Sequence, residues 1–377
     1  MSFTIIQEDE SQNIFDPRTD RKRSVNSPGI QLVKEVLKRH RFPGHTSIQS
    51  NQWVTDTALD LMDRYDPNFV FLVYAQQYHL FGAECPGKAK RELLIDEVFE
   101  EVERFKRKSG FLTIVVGTGD MIPVYDNIDL KKLDGLAVTS QQLSRYAGIY
   151  GLSQADMHYL RALSGIEKLV SKEEFLALFY DGLVAVDRLP DYLTVAREGY
   201  CFGATMPCKT AMIPSHNYSI PVSAGKGKIN LITDISDNIA AALQNNKVAL
   251  ILLDGVGIRD FRIPYAVCSN SKGWYTYETG EAQYLTISTG KHQAFVYPLG
   301  CRSYMEDDKN NRYTVPGALT TVAAQTLGRR LQGRSIAVGN RNMPLHIVTG
   351  TDITIECVDG NLSNQGCRGV VRRYRQA

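Results

Sequence analysis

The stretch Val248-Ala-Leu-Ile-Leu-Leu-Asp254-Gly255-Val-Gly257 decides the fold class. Its unbroken apolar run reads as a strand buried on both faces, the pattern of a central strand in a parallel sheet. The run ends in Asp-Gly, so the strand delivers one carboxylate to the carboxyl edge of the sheet, where open α/β folds place their ligands. Such a strand often opens a domain. Here it comes two-thirds of the way along the chain, after segments that read as the end of the same kind of domain.

Working outward, Phe69 to Tyr74 and Phe111 to Val116 are two further apolar runs. Each follows a segment with helical apolar spacing. The first spans Thr55 to Tyr65, with Thr55 as its cap and Asp66-Pro67 as its stop. The second spans 90 to 108, with Leu93, Leu94, Val98, Val102 and Phe105 on its apolar face and Gly110 closing it. Helix, strand, helix, strand predicts a three-layer α/β/α sandwich with a mostly parallel central sheet. Residues 30 to 40 have helical spacing, and 7 to 29 read as an irregular lead-in. Residues 121 to 190 read as mostly helical, over Ser140–Tyr150, Ser153–Ser164 and Lys172–Val186. The expected organisation is therefore a first part of the core over 1–120, a helical cap or insertion over 121–190, and the remainder of the core over 191–377. In that last part the sequence predicts strands at Pro190–Ala196, Ser215–Val222, 335–338 and 346–356, and helices at Leu231–Leu243 and near 319–331.

Composition narrows the function classes. The chain has 377 residues, 43% hydrophobic and 22% charged, with a net charge of +2. That is ordinary globular composition, and it implies no nucleic-acid or polyanion partner. The basic cluster from Arg368 to Arg375 reads as a solvated tail in preference to a phosphate-binding arm. Seven cysteines, at 85, 201, 208, 268, 301, 357 and 367, form no C-x-x-C pair, so neither a zinc knuckle nor a disulfide framework is indicated. No signal peptide and no membrane span are read, and a reduced cytoplasmic setting is expected. Homo-oligomerisation stays open.

Four residues fall just after predicted strands or in nearby loops: His79, Asp120, His216 and Asp254. Such loops converge at one sheet edge, and two carboxylates with two imidazoles suit zinc, manganese or iron. Taken singly, each is more simply a solvated loop residue; the joint pattern is what points to a site. The Cys201/Cys208 pair reads as inert thiols, the Ser223–Lys228 stretch as a turn, and the Trp274, Tyr275 and Tyr277 cluster as core packing.

Several segments resemble the alkaline phosphatase superfamily, especially its phosphodiesterase and cofactor-independent phosphoglycerate mutase branches. Thr55 to Leu72 is similar to the helix and strand before the family's Asp-x-x-x-His metal motif, and Ala75-Gln-Gln-Tyr-His79 stands at that motif. Phe111 to Met121 resembles the strand ending in Asp-His. Pro190 to Tyr200 and then Ser215 to Val222 resemble the late strand and final histidine ligand. Ile232 to Leu243 is similar to the closing helix. Val248 to Gly257 then resembles the opening strand and its Asp-Gly ligand, Tyr284-Leu-Thr-Ile-Ser-Thr-Gly290 the helix after the nucleophile, and Leu319 to Val338 the next helix and strand. The order is that of a circular permutation, and the segments cover about half of the chain.

The resemblance implies a metal-dependent hydrolase or transferase acting on a phosphate ester or similar small anion. Asp254, Asp120, His216 and His79 would be the metal ligands, Thr279 the nucleophile, and Lys291 and His292 contacts to the substrate. The sequence also departs from the family. Ala75 stands where the first acid belongs and Met121 where a histidine belongs; the nucleophile position falls near Gly280, one residue from Thr279 and beside Glu278. A two-metal site is therefore incomplete, and one divalent metal is expected in place of two. The second reading is a degenerate member that binds a ligand or partner without catalysis. The third is an unrelated α/β enzyme using Cys or Lys chemistry.

Overall fold

The computed structural model describes residues 3–8, 11–16, 21–22, 27–139, 143–179, 189–202, 211–225, 227–294, 304–306, 312–314, 325–331, 333–359 and 365–371. Its centre is an eleven-stranded sheet. The inner strands Leu112–Gly117, Val248–Leu253, Phe69–Tyr74, Ser335–Asn342 and Ile353–Asp359 lie side by side in that order, all parallel. Antiparallel strands flank them: Ser219–Ser223 and Ala266–Ser269 on one side, Gln365–Val371, Phe3–Glu8, Ser11–Asp16 and Arg21–Lys22 on the other.

Alternation along the inner strands explains their apolar runs. Val70, Leu72, Tyr74, Ala249, Ile251 and Leu253 face one layer, while Phe69, Phe71, Val73, Val248, Leu250 and Leu252 face the other. With both faces covered, Phe69–Tyr74 and Val248–Leu253 are apolar at almost every position. The first layer is α1 (Pro28–Arg39), α2 (Ser50–Tyr65) and α4 (Lys88–Ser109), with the short α3 (Gln76–Ala83) at the sheet's edge. The chain between the layers carries α5 (Gln154–Ala162) and α6 (Lys172–Leu178). The second layer is α7 (Asp234–Ala242), α8 (Glu281–Thr289), α9 (Leu327–Arg330) and α10 (Leu345–Thr349). The three-layer α/β/α sandwich is thus present.

Several local expectations are corrected. Residues 121–190 are not mostly helical. The segment supplies three strands of a four-stranded antiparallel sheet, in which the following strand, Tyr192–Ala196, lies between Ile166–Ser171 and Tyr146–Tyr150, with Leu136–Thr139 outermost. Among the described residues 143–150 the expected helix does not form, because Tyr146 to Tyr150 gains two strand partners and tertiary pairing outweighs the weak helical spacing. Residues 140–142 and 180–188 lie outside the described residues. α5 falls within the expected Ser153–Ser164, and α6 starts at Lys172 as expected but ends at Leu178, short of Val186; each opens on a capping box, Ser153/Asp156 and Ser171/Glu174. Tyr146, Val170, Phe175, Leu193 and Val195 pack this unit into the second core layer.

Thr55 does not cap its helix. α2 begins at Ser50, and the Thr55 hydroxyl is buried against the Tyr74 hydroxyl at 2.9 Å. Leu93 is 58% exposed and lies off the apolar face of α4. The lead-in contains three strands, and the second predicted strand of 346–356 begins only at Ile353 because α10 precedes it. Arg368 belongs to no solvated tail: it sits in the Gln365–Val371 strand, its guanidinium 2.5 Å from buried Glu356. Residues 372–377 lie outside the described residues, as do Cys208, Cys301 and 319–324.

Candidate functional site

The carboxyl edge of the parallel sheet gathers a buried polar cluster. Asp254 ends the central strand and is 0% exposed. Its Oδ1 accepts a hydrogen bond from the Tyr284 hydroxyl of α8, and its Oδ2 lies 3.5 Å from Nη1 of Arg341, a residue near the end of the Ser335–Asn342 strand. The Arg341 guanidinium lies over the Tyr78 ring, 3.5 Å from its centroid, and Nη2 reaches the Thr279 carbonyl at 3.5 Å. Thr279 sits just before α8. Its hydroxyl meets that of Thr118 at 2.9 Å, and Thr118 Oγ1 accepts from the Gly255 N–H at 3.2 Å. Gln283, on the first turn of α8, donates to the Thr118 carbonyl and to Asn270 Oδ1.

An amide network fixes the strand ends beneath this cluster. Gln77 donates to the Tyr74 and Asp254 carbonyls at 2.8 and 2.7 Å and accepts from Asn51. Asn340 accepts from the Ala75 N–H at 2.7 Å and donates to Ser50 and Asn51. Ala75, which occupies the expected acid's position, thus contributes a backbone N–H to a rigid frame.

Electrostatics follow from burial. Burial pushes the Asp254 carboxyl up from its ordinary value, while Arg341, Tyr284 and Thr118 pull it back. Burial pushes the His79 imidazole well down, and the nearby Arg341 and His45 add to that. Of seven buried side-chain atoms without a hydrogen-bond partner among the described residues, Asp254 Oδ2, Arg341 Nη1, Gln283 Oε1 and His79 Nε2 belong to residues at this edge, while Arg145 Nε, His216 Nε2 and Thr57 Oγ1 belong elsewhere. Buried polar groups left so are costly, and two of them, Asp254 Oδ2 and Arg341 Nη1, face each other at 3.5 Å.

The expected site residues divide. Asp254 and Thr279 come together around Thr118. His79 lies on the far side of Arg341, its ring 4.5 Å from that of His45. Asp120 is in the next loop, with its carboxylate 3.4 Å from Arg259 and its backbone bonded to Asn217; burial raises its carboxyl. His216 belongs to a separate cluster, with Nε2 at 3.5 Å from Glu167, which also pairs with Arg145; burial and Arg145 lower its imidazole. Glu278 accepts from the Arg145 N–H at 2.9 Å and so faces that cluster, away from Asp254. Lys291 and His292 stand beyond the opposite end of α8 from Thr279, and His292 is stacked on buried Tyr277, 3.0 Å from its hydroxyl. They do not join the Asp254 cluster.

The residues do not fit a divalent metal. Among the described residues, no three His, Cys, Asp or Glu side chains gather closely enough to hold one. Asp254, the best ligand, already faces a guanidinium, and a divalent ion on Oδ2 would stand against that charge in a low-dielectric setting. Arg259 likewise faces Asp120. Among the described residues the four expected ligands do not converge, and Arg341 and Arg259 stand against the two expected carboxylates.

Arg341, Tyr284, Thr118, Gln283 and Tyr78 were not singled out from sequence. One signal was available for Arg341. The run ending Val338-Gly-Asn-Arg341 closes a buried strand as Leu253-Asp254 does, and the rule that flagged Asp254 flags the polar residues there too.

Among the described residues, no helix is long and apolar enough to cross a membrane. No family model matches the chain, and no curated protein matches it. A search of solved structures finds phosphonoacetate hydrolase from Sinorhizobium meliloti 1021 in complex with phosphonoformate, at 16% identity and a TM-score of 0.33, covering 42% of this chain. The match spans 44% of that protein's length. A likeness of that extent assigns neither fold nor function.

Proposed function

We infer that this chain is a distant, degenerate relative of the alkaline phosphatase superfamily, permuted in order, that binds a phosphate ester or similar small oxyanion without a resident divalent metal. The observation that carries the reading is the buried Asp254–Arg341 ion pair, neither of whose facing atoms has a hydrogen-bond partner. A guanidinium is the side chain best suited to hold a tetrahedral oxyanion, through paired N–H donors. The threonine hydroxyls at 118 and 279 flank it, and the positive end of α8 adds to the field. The amide network beneath keeps these groups in place before a ligand arrives.

Catalysis is the less supported half of the expectation. The Thr279 hydroxyl has the hydroxyl and carbonyl of Thr118 as its partners, and neither is a base able to take its proton. Binding without turnover is therefore the favoured form.

The test joins elemental analysis to ligand titration, on protein purified without a metal-affinity tag. The expected result is no stoichiometric zinc, manganese or iron, a phosphate-dependent rise in melting temperature, and no hydrolysis of p-nitrophenyl phosphate. One or two equivalents of metal, lost in Asp254→Ala, would restore the metallohydrolase reading. Absence of binding by phosphate and its esters would remove the oxyanion reading altogether.

A further inference from the structure

Asp254 and Arg341 together ask more of a ligand than negative charge. Oδ2 of Asp254 is an acceptor and Nη1 of Arg341 a donor, 3.5 Å apart, buried, and each without a hydrogen-bond partner. A third buried atom without a partner, Gln283 Oε1, is also an acceptor, on a side chain anchored to Thr118. A fully deprotonated oxyanion satisfies the Arg341 donor and leaves Asp254 Oδ2 facing negative charge. A ligand carrying P–O⁻ and P–OH on one phosphorus satisfies a donor and an acceptor at once.

We propose that this pair selects an oxyanion that still carries a proton, namely a phosphate monoester in its monoanionic form or inorganic dihydrogen phosphate, over sulfate and over phosphate diesters. The proposal rests on the oxyanion-binding reading above and narrows its ligand class. A diester has the single negative charge but no P–OH to donate to Asp254. Sulfate has the tetrahedral shape but no proton near neutral pH, so its oxygens meet the Asp254 carboxylate directly. Burial raises the Asp254 carboxyl, and three groups oppose it in favour of the ionised acceptor: Arg341 from the neighbouring part of the sheet, the Tyr284 hydroxyl from α8, and the Thr118 hydroxyl from the loop after Leu112–Gly117. On the α3 side the facing groups are Tyr78 and His79, with His45 behind His79.

The experiment is isothermal titration of the intact chain with four probes: inorganic phosphate, methyl phosphate, dimethyl phosphate and sulfate. It is run near pH 6, where a phosphate monoester is roughly half monoanion. Phosphate and methyl phosphate are expected to bind, and dimethyl phosphate and sulfate to bind at least about tenfold more weakly, the scale of one charge-assisted hydrogen bond left unmade in a buried site. Asp254→Asn places an amide where the carboxylate stood and is expected to bring sulfate level with phosphate. Sulfate binding as tightly as phosphate in the wild type, or dimethyl phosphate as tightly as methyl phosphate, overturns the proposal while leaving oxyanion binding standing. So does an Asp254→Asn variant that keeps the wild-type preference. If none of the four binds, the oxyanion reading itself fails. The wild-type ratios decide between these outcomes even where the variant does not fold.

Discussion

At the scale of single residues, two buried carboxylates behave in opposite ways, and the difference lies in what faces them. Asp254 has one guanidinium at 3.5 Å and its carboxyl is raised by burial. Glu356, also 0% exposed, has Arg368 at 2.5 Å and His346 at 2.8 Å. Burial alone would raise its carboxyl, but His346 and Arg368 outweigh that and hold it at about 2. Folding is thus favoured by Glu356 above the ordinary glutamate range, and that contribution is lost as pH falls from about 4.5 toward 2. The shift corresponds to about 3 kcal/mol. Urea titrations across that range should show the loss in the wild type and a flatter profile in Glu356→Gln. For Asp254 the sign reverses: with its folded value raised, its contribution is present at low pH and lost as pH rises through that value. Arg341→Leu leaves Asp254 buried with no counter-charge and should cost about 3–5 kcal/mol at neutral pH, while the double change Arg341→Leu with Asp254→Leu should cost far less than the two single changes summed. Chemical denaturation of the three variants checks this. An additive double variant would mean that the pair is not coupled. Asp254 was legible in the sequence because a carboxylate at the end of an apolar run is conspicuous. Arg341 was not, because the predicted strand was ended at 338, three residues short of it, and nothing local says that the two strand ends share one edge.

At the scale of elements, the inner parallel strands were legible and most of the antiparallel ones were not, Tyr192–Ala196 and Ser219–Ser223 excepted. Val248–Leu253 and Phe69–Tyr74 are buried on both faces, so composition alone carries them. Tyr146–Tyr150 and Ile166–Ser171 depend on partners distant in sequence, and their local pattern is ambiguous between helix and strand. The loops after the parallel strands meet at close quarters, and Gly257 shows how close. A Cβ added there would stand 2.2 Å from the Asp120 backbone nitrogen and 2.5 Å from its Oδ1. Backbone cannot yield as a side-chain tip can, so Gly257→Ala should displace the Asp120 loop and cost about 1–3 kcal/mol. Thermal melts measure the cost. Amide exchange should localise the loosening to the segments around Asp120 and Ser215, whose N–H bonds the Asp120 carbonyl at 2.9 Å. Unchanged exchange there would mean that the loop accommodates the methyl group without moving.

At the scale of the whole molecule, the decisive fact is that Val248–Leu253 lies between two strands that precede it in the chain. Leu112–Gly117 and Phe69–Tyr74 each pair with it along their whole length, Leu253 reaching Gly117 on one side and Tyr74 on the other. The earlier strands are therefore held in one sheet through a later one. Both core layers depend on it as well, since Ala249, Ile251 and Leu253 fill one and Val248, Leu250 and Leu252 the other. Contacts of such long sequence separation carry a loop-closure cost before they are rewarded, so folding waits for the chain to be complete. A break in the exposed turn between Asn245 and Asn246, just ahead of this strand, turns the arrangement into a test. The fragment 1–245 has all of the first layer's helices but lacks the strand that joins their sheet. The fragment 246–377 has that strand but neither of its neighbours. Neither piece can bury the central strands on both faces, so each alone should lack cooperative unfolding and protected amides. Mixed at equal concentration they should assemble with native-like circular dichroism and recover the phosphate-dependent rise in melting temperature, because Thr118 comes from one piece and Asp254, Thr279 and Arg341 from the other. Cooperative folding of 1–245 alone would show that its strands re-pair directly, and that the central strand completes the ligand site without being needed for the sheet.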